Sequence, residues 1–328
     1  MDLYNPVYNL AIAFPQRTNV ATRATQQQTG LYFQDQMKWN GFIFTGSVRK
    51  DWVDQEIRTT FNFPNLPLPT LNRTTVDQQS FSALSYRVAL GYEFDAGVVP
   101  YVSYSTSFNP QIAGQRADGS ALDPREAKQI EGGVKWQPVG SNALYTASYF
   151  EITQTNIPLA DPLNPGFFIQ TGEAVAKGFE LEGKASLFEG FNLIFGFAHL
   201  DTKVTKNPSN PALVGNRLAN APANTLSLFA DYAFPLGSPF GGFRAGAGVR
   251  YVGARTDATN VDCIPAYALV DASLSYDLAR LDPAWNGAIL SVNATNLFDQ
   301  RYFTSGFYTG YVFEGFRRSV FGTLTYRW

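Results

Sequence analysis

Apolar and polar side chains alternate residue by residue over much of this chain, and that period confines it to extended strands. From Phe243 the order is Phe243, Ala245, Ala247, Val249 and Tyr251 on one face, with Arg244, Gly246, Gly248 and Arg250 on the other. The same period recurs at Ala268, Val270, Ala272, Leu274 and Tyr276 against Asp271, Ser273 and Ser275, and at Leu226, Leu228, Ala230 and Tyr232 against Ser227 and Asp231. It returns at Phe179, Leu181, Ala185 and Leu187 opposite Glu180, Glu182 and Lys184, and at Leu84, Tyr86, Val88, Leu90 and Tyr92 opposite Ser85, Arg87 and Glu93. Helical spacing fits none of these windows, so the fold class is all-β.

Two kinds of connection alternate between the strands. Short turns such as Glu189-Gly190 and Phe94-Asp95-Ala96-Gly97 contrast with long polar segments at roughly 57–79, 109–125, 203–222 and 299–313. About thirteen strands of ~10 residues, tight at one end and elaborate at the other, describe a transmembrane antiparallel β-barrel or part of one. Composition agrees: hydrophobic residues are 45% and aromatics 15%, yet the apolar content is dispersed rather than gathered into a run of the ~18 residues a membrane helix needs.

A soluble sandwich also alternates, but its apolar face would carry Val, Ile and Leu throughout. Here Ala, Val and Leu occupy the strand centres and Tyr, Phe or Trp the ends, the order of a lipid-facing band between aromatic girdles. Turning Arg244 and Arg250 to lipid would cost up to roughly 2–4 kcal/mol each near the midplane, which fixes the phase of the strand. At the C-terminus Val320, Gly322, Leu324, Tyr326 and Trp328 alternate with Ser319, Thr323, Thr325 and Arg327. The chain thus ends in an amphipathic strand whose terminal Trp328 belongs in a girdle.

Several chemistries are disfavoured by count. A net charge of −2, from 25 Lys and Arg against 27 Asp and Glu, provides no basic surface for nucleic acid. Cys263 is the only cysteine and His199 the only histidine, so no Cys-based zinc cluster or bis-histidine haem site is available, and a hydrolytic triad would hang on one residue. His199 is expected to be a half-buried side chain near a strand end, and no enzyme activity is expected. Asn72-Arg-Thr and Asn293-Ala-Thr match a glycosylation pattern too short to carry weight, and Gly246-Ala-Gly248 lies within a strand.

Several ordered blocks resemble a known family. Tyr267-Ala-Leu-Val-Asp271-Ala-Ser-Leu-Ser-Tyr276-Asp277-Leu, Val292-Asn293-Ala-Thr-Asn296-Leu-Phe-Asp299-Gln-Arg301-Tyr302, Glu314-Gly-Phe-Arg-Arg318 and the terminal Tyr326-Arg-Trp328 resemble the C-terminal signature of TonB-dependent siderophore receptors. Gln28-Thr-Gly-Leu-Tyr32-Phe-Gln34-Asp35-Gln36, Tyr101-Val-Ser-Tyr104-Ser-Thr-Ser-Phe108-Asn-Pro110, Gln170-Thr-Gly-Glu173 and Lys177-Gly178-Phe179-Glu180-Leu-Glu182 resemble further blocks. The ferrichrome-type hydroxamate receptors are the nearest subgroup.

The resemblance implies that residues 1–328 form the C-terminal part of a barrel of about 22 strands, whose N-terminal plug domain and TonB box lie outside this chain. Met1-Asp-Leu-Tyr-Asn-Pro has no signal-peptide character, and an odd strand number places Tyr4-Asn-Pro-Val-Tyr8 in an extracellular loop. Implied partners are a ferric siderophore, the TonB complex acting through the plug, outer-membrane lipid, and the barrel-assembly machinery acting on the strand that ends in Trp328. Iron stays within the siderophore, so no cofactor is implied, and the location is the outer membrane. A receptor for another metal chelate or cobalamin, or a passive pore, stands as the alternative.

Ligand contacts are expected from aromatic loops. The candidates are Phe307, Tyr308, Tyr311 and Phe313 in the final loop, with Tyr4, Tyr8 and Phe14 in the first. Phe307 matches a ligand-contacting aromatic of the ferrichrome receptors that is flanked by a cysteine pair, and Gly306 and Val312 stand at those cysteine positions here. Arg87, Glu93, Glu131, Lys135, Glu180, Glu182, Lys184, Arg244 and Arg250 are expected to form lumen-facing ladders that pair across strands or with the plug.

Overall fold

A computed structural model describes residues 19–62, 73–112, 114–161, 163–164, 166–257, 260–308 and 310–328. The strands are β1 (Asn19–Trp39), β2 (Phe42–Asn62), β3 (Arg73–Tyr92), β4 (Val98–Asn109), β5 (Arg125–Trp136), β6 (Ala143–Ala160), β7 (Phe168–Phe188), β8 (Phe191–Lys206), β9 (Asn224–Ala233), β10 (Phe243–Val252), β11 (Arg255–Thr256), β12 (Cys263–Ile264), β13 (Tyr267–Asp277), β14 (Ala288–Thr295), β15 (Phe303–Tyr308), β16 (Tyr311–Glu314) and β17 (Ser319–Tyr326). Thirteen of them form a single sheet in the order β1 through β10, then β13, β14 and β17, while β11 with β12 and β15 with β16 make two separate hairpins. Every pairing is antiparallel. Among the described residues β1 and β17 are the sheet edges.

In the middle of β9, β10, β13 and β14 the register aligns small apolar residues with one another on one face and polar residues or glycine on the other. Ala247 of β10 lies opposite Ala230 of β9 and Ala272 of β13, and Ala272 in turn opposite Ala294 of β14. The neighbouring rung joins Gly246 to Asp231 and Ser273, then Ser273 to Asn293. A one-residue slip would exchange the faces on every strand, so the pattern itself selects the register. The apolar face is open: Leu84, Val88, Leu228, Leu274 and Val292 are all exposed. An exposed apolar surface carried across a sheet this wide far exceeds the few hundred Å² a soluble monomer shows, and it is suited to lipid.

Aromatic residues mark both rims of that face. Phe42 meets Tyr92 at 5.0 Å, Trp136 meets Tyr145 at 5.5 Å, and Phe243 meets Tyr276 at 4.3 Å, all beside the short turns. Nearer the loops, Tyr86 faces Tyr104 at 5.9 Å and Phe179 faces Phe197 at 5.6 Å.

The short turns are tied to the next hairpin by glycine. Asn40-Gly41, with φ of 45° and 83°, supplies the two left-handed residues of a two-residue hairpin turn between β1 and β2. Gly97 and Gly287 accept backbone bonds from Gln137 and Arg327, each at 2.9 Å, across the strand boundary. A Cβ at either glycine would fall 1.9 or 2.0 Å from the carbonyl oxygen of that same neighbour, and both have positive φ (76° and 85°). Only glycine gives this approach.

Four expectations need correction. The segment 57–79 is mainly strand, since β2 runs to Asn62 and β3 begins at Arg73. Its polar residues sit on a ladder that continues after both faces become wet: Thr22 and Thr60 hydroxyls bond to those of Thr59 and Thr74 at 3.4 and 3.3 Å. Alternation disappears there because both faces carry polar side chains, while β-branched threonine still suits a pleated surface. Strand length is the second correction. β1, β2 and β7 have 21 residues each, not ten; at ~3.4 Å per residue they extend roughly 70 Å, well past a hydrocarbon core of about 30 Å. Third, 299–313 contains the β15–β16 hairpin. Half-buried His199 lies within β8 rather than near its end, stacked on Phe179 at 5.7 Å with Nδ1 2.8 Å from Asn224 Oδ1.

Candidate functional site

At the end opposite the glycine turns, the segments 207–223, 253–266 and 296–318 meet around the β15–β16 hairpin. Its root is a polar knot on the sheet's polar face. Asp271 of β13 receives Arg250 of β10 through Nε at 2.6 Å and Nη2 at 3.1 Å, and the same carboxylate accepts the backbone N–H of Asn296 at 2.9 Å. Asn296 takes a left-handed φ of 50°, a conformation asparagine tolerates better than most residues. Its carboxamide donates to Gln300 O (2.8 Å) and Phe316 O (3.3 Å) and accepts from Gln300 N (2.9 Å), closing both ends of the segment on one buried side chain. Asp299 adds a second clasp, accepting from Arg317 and from the Arg318 backbone at 3.0 Å. The Arg317 guanidinium beside it holds its carboxyl well below the usual carboxylate range. The blocks Asn296-Leu-Phe-Asp299 and Glu314-Gly-Phe-Arg-Arg318 therefore form one structural unit.

Above the root the hairpin rests on other loops. Arg255, only 5% exposed, donates to Phe303 O (2.7 Å) and Thr304 O (2.5 Å), with its guanidinium 5.6 Å from the centre of the Tyr267 ring. Asn220 donates to Gly306 O at 3.0 Å and accepts from Gly306 N at 2.9 Å. Asp262 accepts from Gly310 N at 2.8 Å. Gly306 and Val312, the positions that the resemblance matches to a cysteine pair, are direct partners across the hairpin.

The remaining candidates divide by what is described. Tyr311 and Phe313 stand on β16 with 71% and 58% of their surface exposed. Phe307 and Tyr308 lie in β15, where their backbone alone is described. Tyr4, Tyr8 and Phe14 lie outside the described residues.

A second folded loop joins β4 to β5. Arg116 donates to Ala121 O (2.7 Å), to Gln170 Oε1 (2.5 Å) and to Asp123, while Gln170 Nε2 reaches Asp123 O at 2.6 Å. Gln115 bonds Asp77 of β3 at 2.9 Å, and Leu122 is buried. A recess of about 370 Å³ opens beside it, lined by Thr22, Ile57, Thr59, Asp77, Gln115 and Phe167.

Of the expected polar-face ladders, four have cross-strand partners: Arg250 with Asp271, Arg244 with Asp231 (2.6 Å), Glu93 with Lys38 (3.0 Å), and Glu131 with the Tyr101 hydroxyl (2.6 Å). Lys135 lies 5.2 Å from the centre of the Tyr101 ring. Both line a second recess of about 400 Å³ at the turn end, with Arg87 and Glu93. Among the described residues no group of three or more His, Cys, Asp or Glu side chains could hold a metal ion. The site offers stacking surfaces and hydrogen bonds.

The loop-end partners Asn220, Arg255, Asp262 and Asp271 are missing from the sequence-based candidates. No spacing announces them, because Asn220 and Gly306 are 86 residues apart. An isolated arginine or asparagine in a polar segment looks like any solvated residue.

Comparison with known proteins places these features in context. The pattern of the family described as TonB dependent receptor-like, beta-barrel matches residues 1–297. The chain is similar to the ferrichrome outer membrane transporter/phage receptor of Escherichia coli K12, with 36% identity over 100% of this chain and 42% of that protein. It is 34% identical to the ferrioxamine B receptor of Salmonella typhimurium LT2, over 99% of this chain and 44% of that protein. The metal-pseudopaline receptor of Pseudomonas aeruginosa PAO1 is 34% identical over 90% of this chain and 40% of its own length. The chain thus spans about two-fifths of the length of the curated relatives it matches. Among solved structures, the siderophore receptor PiuA from Acinetobacter baumannii superposes with a TM-score of 0.74 at 23% identity, covering 93% of this chain and 44% of that one. That likeness speaks to the fold alone.

Proposed function

This chain belongs to the TonB-dependent receptor-like β-barrel family, and on that premise we propose that it is the loop-bearing wall of a receptor that takes up a ferric siderophore of the hydroxamate class. Its exposed apolar face meets outer-membrane lipid, its polar face lines the lumen, and the glycine turns lie at the periplasmic end. The single observation that carries the reading is the β15–β16 hairpin at the loop end. There Tyr311 and Phe313 are largely exposed on a hairpin whose backbone is fastened by side chains from two other loops. Exposed aromatics on an anchored backbone provide apolar contact and stacking for a bulky chelate whose iron is already coordinated. Phe307 and Tyr308 on the same hairpin, with Tyr4 and Tyr8 from the first loop, complete the proposed contact set.

The hydroxamate class follows from the similarity to proteins named for ferrichrome and ferrioxamine B. A second reading, a receptor for a different metal chelate, is favoured by the 34% identity to the metal-pseudopaline receptor. In either case a plug domain would fill the lumen and meet the free polar-face groups Arg87, Glu180, Glu182 and Lys184. The TonB complex would displace it, and the strand ending in Trp328 would engage the assembly machinery.

Uptake of radioactive iron by a strain without its own receptors for these chelates, expressing the natural protein that carries this chain, tests the proposal. Accumulation with ferrichrome or ferrioxamine B, abolished when TonB is deleted, is the expected result. Transport of only a catecholate or of a nickel or zinc chelate would overturn the hydroxamate assignment. Equal, TonB-independent entry of all small solutes would replace the receptor with a pore.

A further inference from the structure

We propose that Asn220 and Arg255 are positioning residues for ligand binding: they latch the β15–β16 hairpin in the geometry that presents its aromatic side chains, without contacting the ligand. The inference rests on the siderophore reading above for what is bound, and on the following geometry for the latch itself.

The hairpin is poorly equipped to hold its own shape. β15 has six residues and β16 four, and the ladder between them is interrupted between Phe303 and Ser305 and again between Gly306 and Tyr308. Isolated two-stranded hairpins are marginal in water even when regular. Bonds within 296–318 close its base, and side chains of two other loops fix the strands above it.

Asn220 imitates a neighbouring strand. Its carboxamide donates to Gly306 O and accepts from Gly306 N, so both backbone groups of one residue are satisfied as a ladder partner would satisfy them. The asparagine is itself aimed: its φ is 56°, and its backbone N–H donates to Thr256 O at 2.8 Å, tying it to β11. Gly306 accepts this embrace because it lacks a side chain. A Cβ there would lie 2.9 Å from Asp257 Cβ and 3.0 Å from Ile264 Cδ1, so any larger residue would push the hairpin off the β11–β12 loop. Arg255, nearly buried, then fastens the base of β15 through two consecutive carbonyls, those of Phe303 and Thr304. Each of these bonds ends on backbone, so the latch sets where the hairpin sits and leaves the exposed side chains of Tyr311 and Phe313 free for a ligand. Pre-ordering a contact surface strengthens binding by removing the entropy that ordering would otherwise cost at the moment of association.

The test uses outer-membrane vesicles bearing the natural protein that carries this chain, in wild-type form and with Asn220→Ala, Asn220→Asp, Arg255→Lys or, for comparison, Tyr311→Ala. Hydrogen exchange of amides 303–314 reports the latch, and equilibrium binding of ferrichrome reports its consequence. Loss of a two-bond clasp should accelerate exchange in 303–314 about tenfold and weaken ferrichrome binding about tenfold in Asn220→Ala, with exchange in the glycine turns unchanged. Asn220→Asp, which keeps the acceptor for Gly306 N–H and loses the donor, should fall between. Arg255→Lys, which loses the Nη1 bond to Gly253 O that aims the nitrogen reaching both Phe303 O and Thr304 O, should loosen 303–305 most. Tyr311→Ala should weaken binding with exchange unaltered.

Unchanged exchange in properly folded Asn220→Ala and Asn220→Asp proteins would overturn the latch. Faster exchange with undiminished affinity would overturn its role in binding. Faster exchange in a protein whose wild-type form binds no ferrichrome would uphold the latch, overturn its role in ferrichrome binding and count against the hydroxamate reading, so the two failures are distinguishable.

Discussion

Asn296→Ala is expected to lower the stability of the loop-end structure by roughly 3 kcal/mol or more. The side chain is 3% exposed and makes three hydrogen bonds that close the two ends of the 296–318 segment on one another. Alanine would leave Gln300 N, Gln300 O and Phe316 O short of a partner, each at about 1–3 kcal/mol where water cannot replace it. It would also hold the left-handed backbone, φ 50°, without the local polar side chain that makes that region tolerable, adding about 1 kcal/mol. Because the Asn296 N–H also ends on Asp271, which is clamped by Arg250, the loss should spread to the β10–β13–β14 corner. Urea unfolding of the purified protein in detergent micelles would read it. The midpoint should fall for Asn296→Ala, whereas Asn293→Ala, opposite Ser273 within β14, should stay within about 0.5 kcal/mol of wild type.

The second large effect is a difference between adjacent residues. Ala272 lies on the apolar face of β13, flanked by Ala247 and Ala294, while Ser273 lies on the polar face between Gly246 and Asn293. Arginine at 272 would place a guanidinium in hydrocarbon near the strand centre, at a cost of roughly 2–4 kcal/mol, whereas arginine at 273 would extend into the wet lumen at little cost. Ala272→Arg should therefore reduce the amount of folded, heat-modifiable protein in the outer membrane several-fold, and Ser273→Arg should leave it near wild type. Equal effects of the two would mean that the faces are not lipid and lumen.

What the amino-acid order disclosed and what it hid divide along the membrane boundary. Where one face meets lipid, as at Phe243 to Tyr251, polarity must alternate, and the strand, its phase and its thirteen-strand company could all be read directly. Beyond the boundary both faces are wet and the signal vanishes, although the ladder does not. Gln55 to Phe61 and Arg73 to Gln79 pair residue by residue through Thr, Gln and Arg yet look like loop. The β15–β16 hairpin was hidden for the same reason, with Gly306 at its centre suggesting a turn rather than a strand. At the candidate site, Tyr311 and Phe313 stood out as aromatics in a polar segment, and the structure leaves both exposed. Their supports did not stand out, because Asn220, Arg255 and Asp262 become important only when three distant loops meet. The blocks that carry the family resemblance prove to be mostly architectural: Asn296-Leu-Phe-Asp299 and Gln170 close loops through backbone bonds.

The most direct test of the account is a nitroxide scan of β13. With Cys263 replaced by serine, single cysteines at 270 through 275 would be spin-labelled in the outer membrane and their relaxation by oxygen compared with that by a water-soluble nickel chelate. The account predicts a strict two-residue alternation, with 270, 272 and 274 relaxed by oxygen dissolved in lipid and 271, 273 and 275 shielded from it. A flat profile, or the reverse phase with the odd positions in lipid, would contradict the assignment of faces and with it the reading of this chain as a receptor barrel wall.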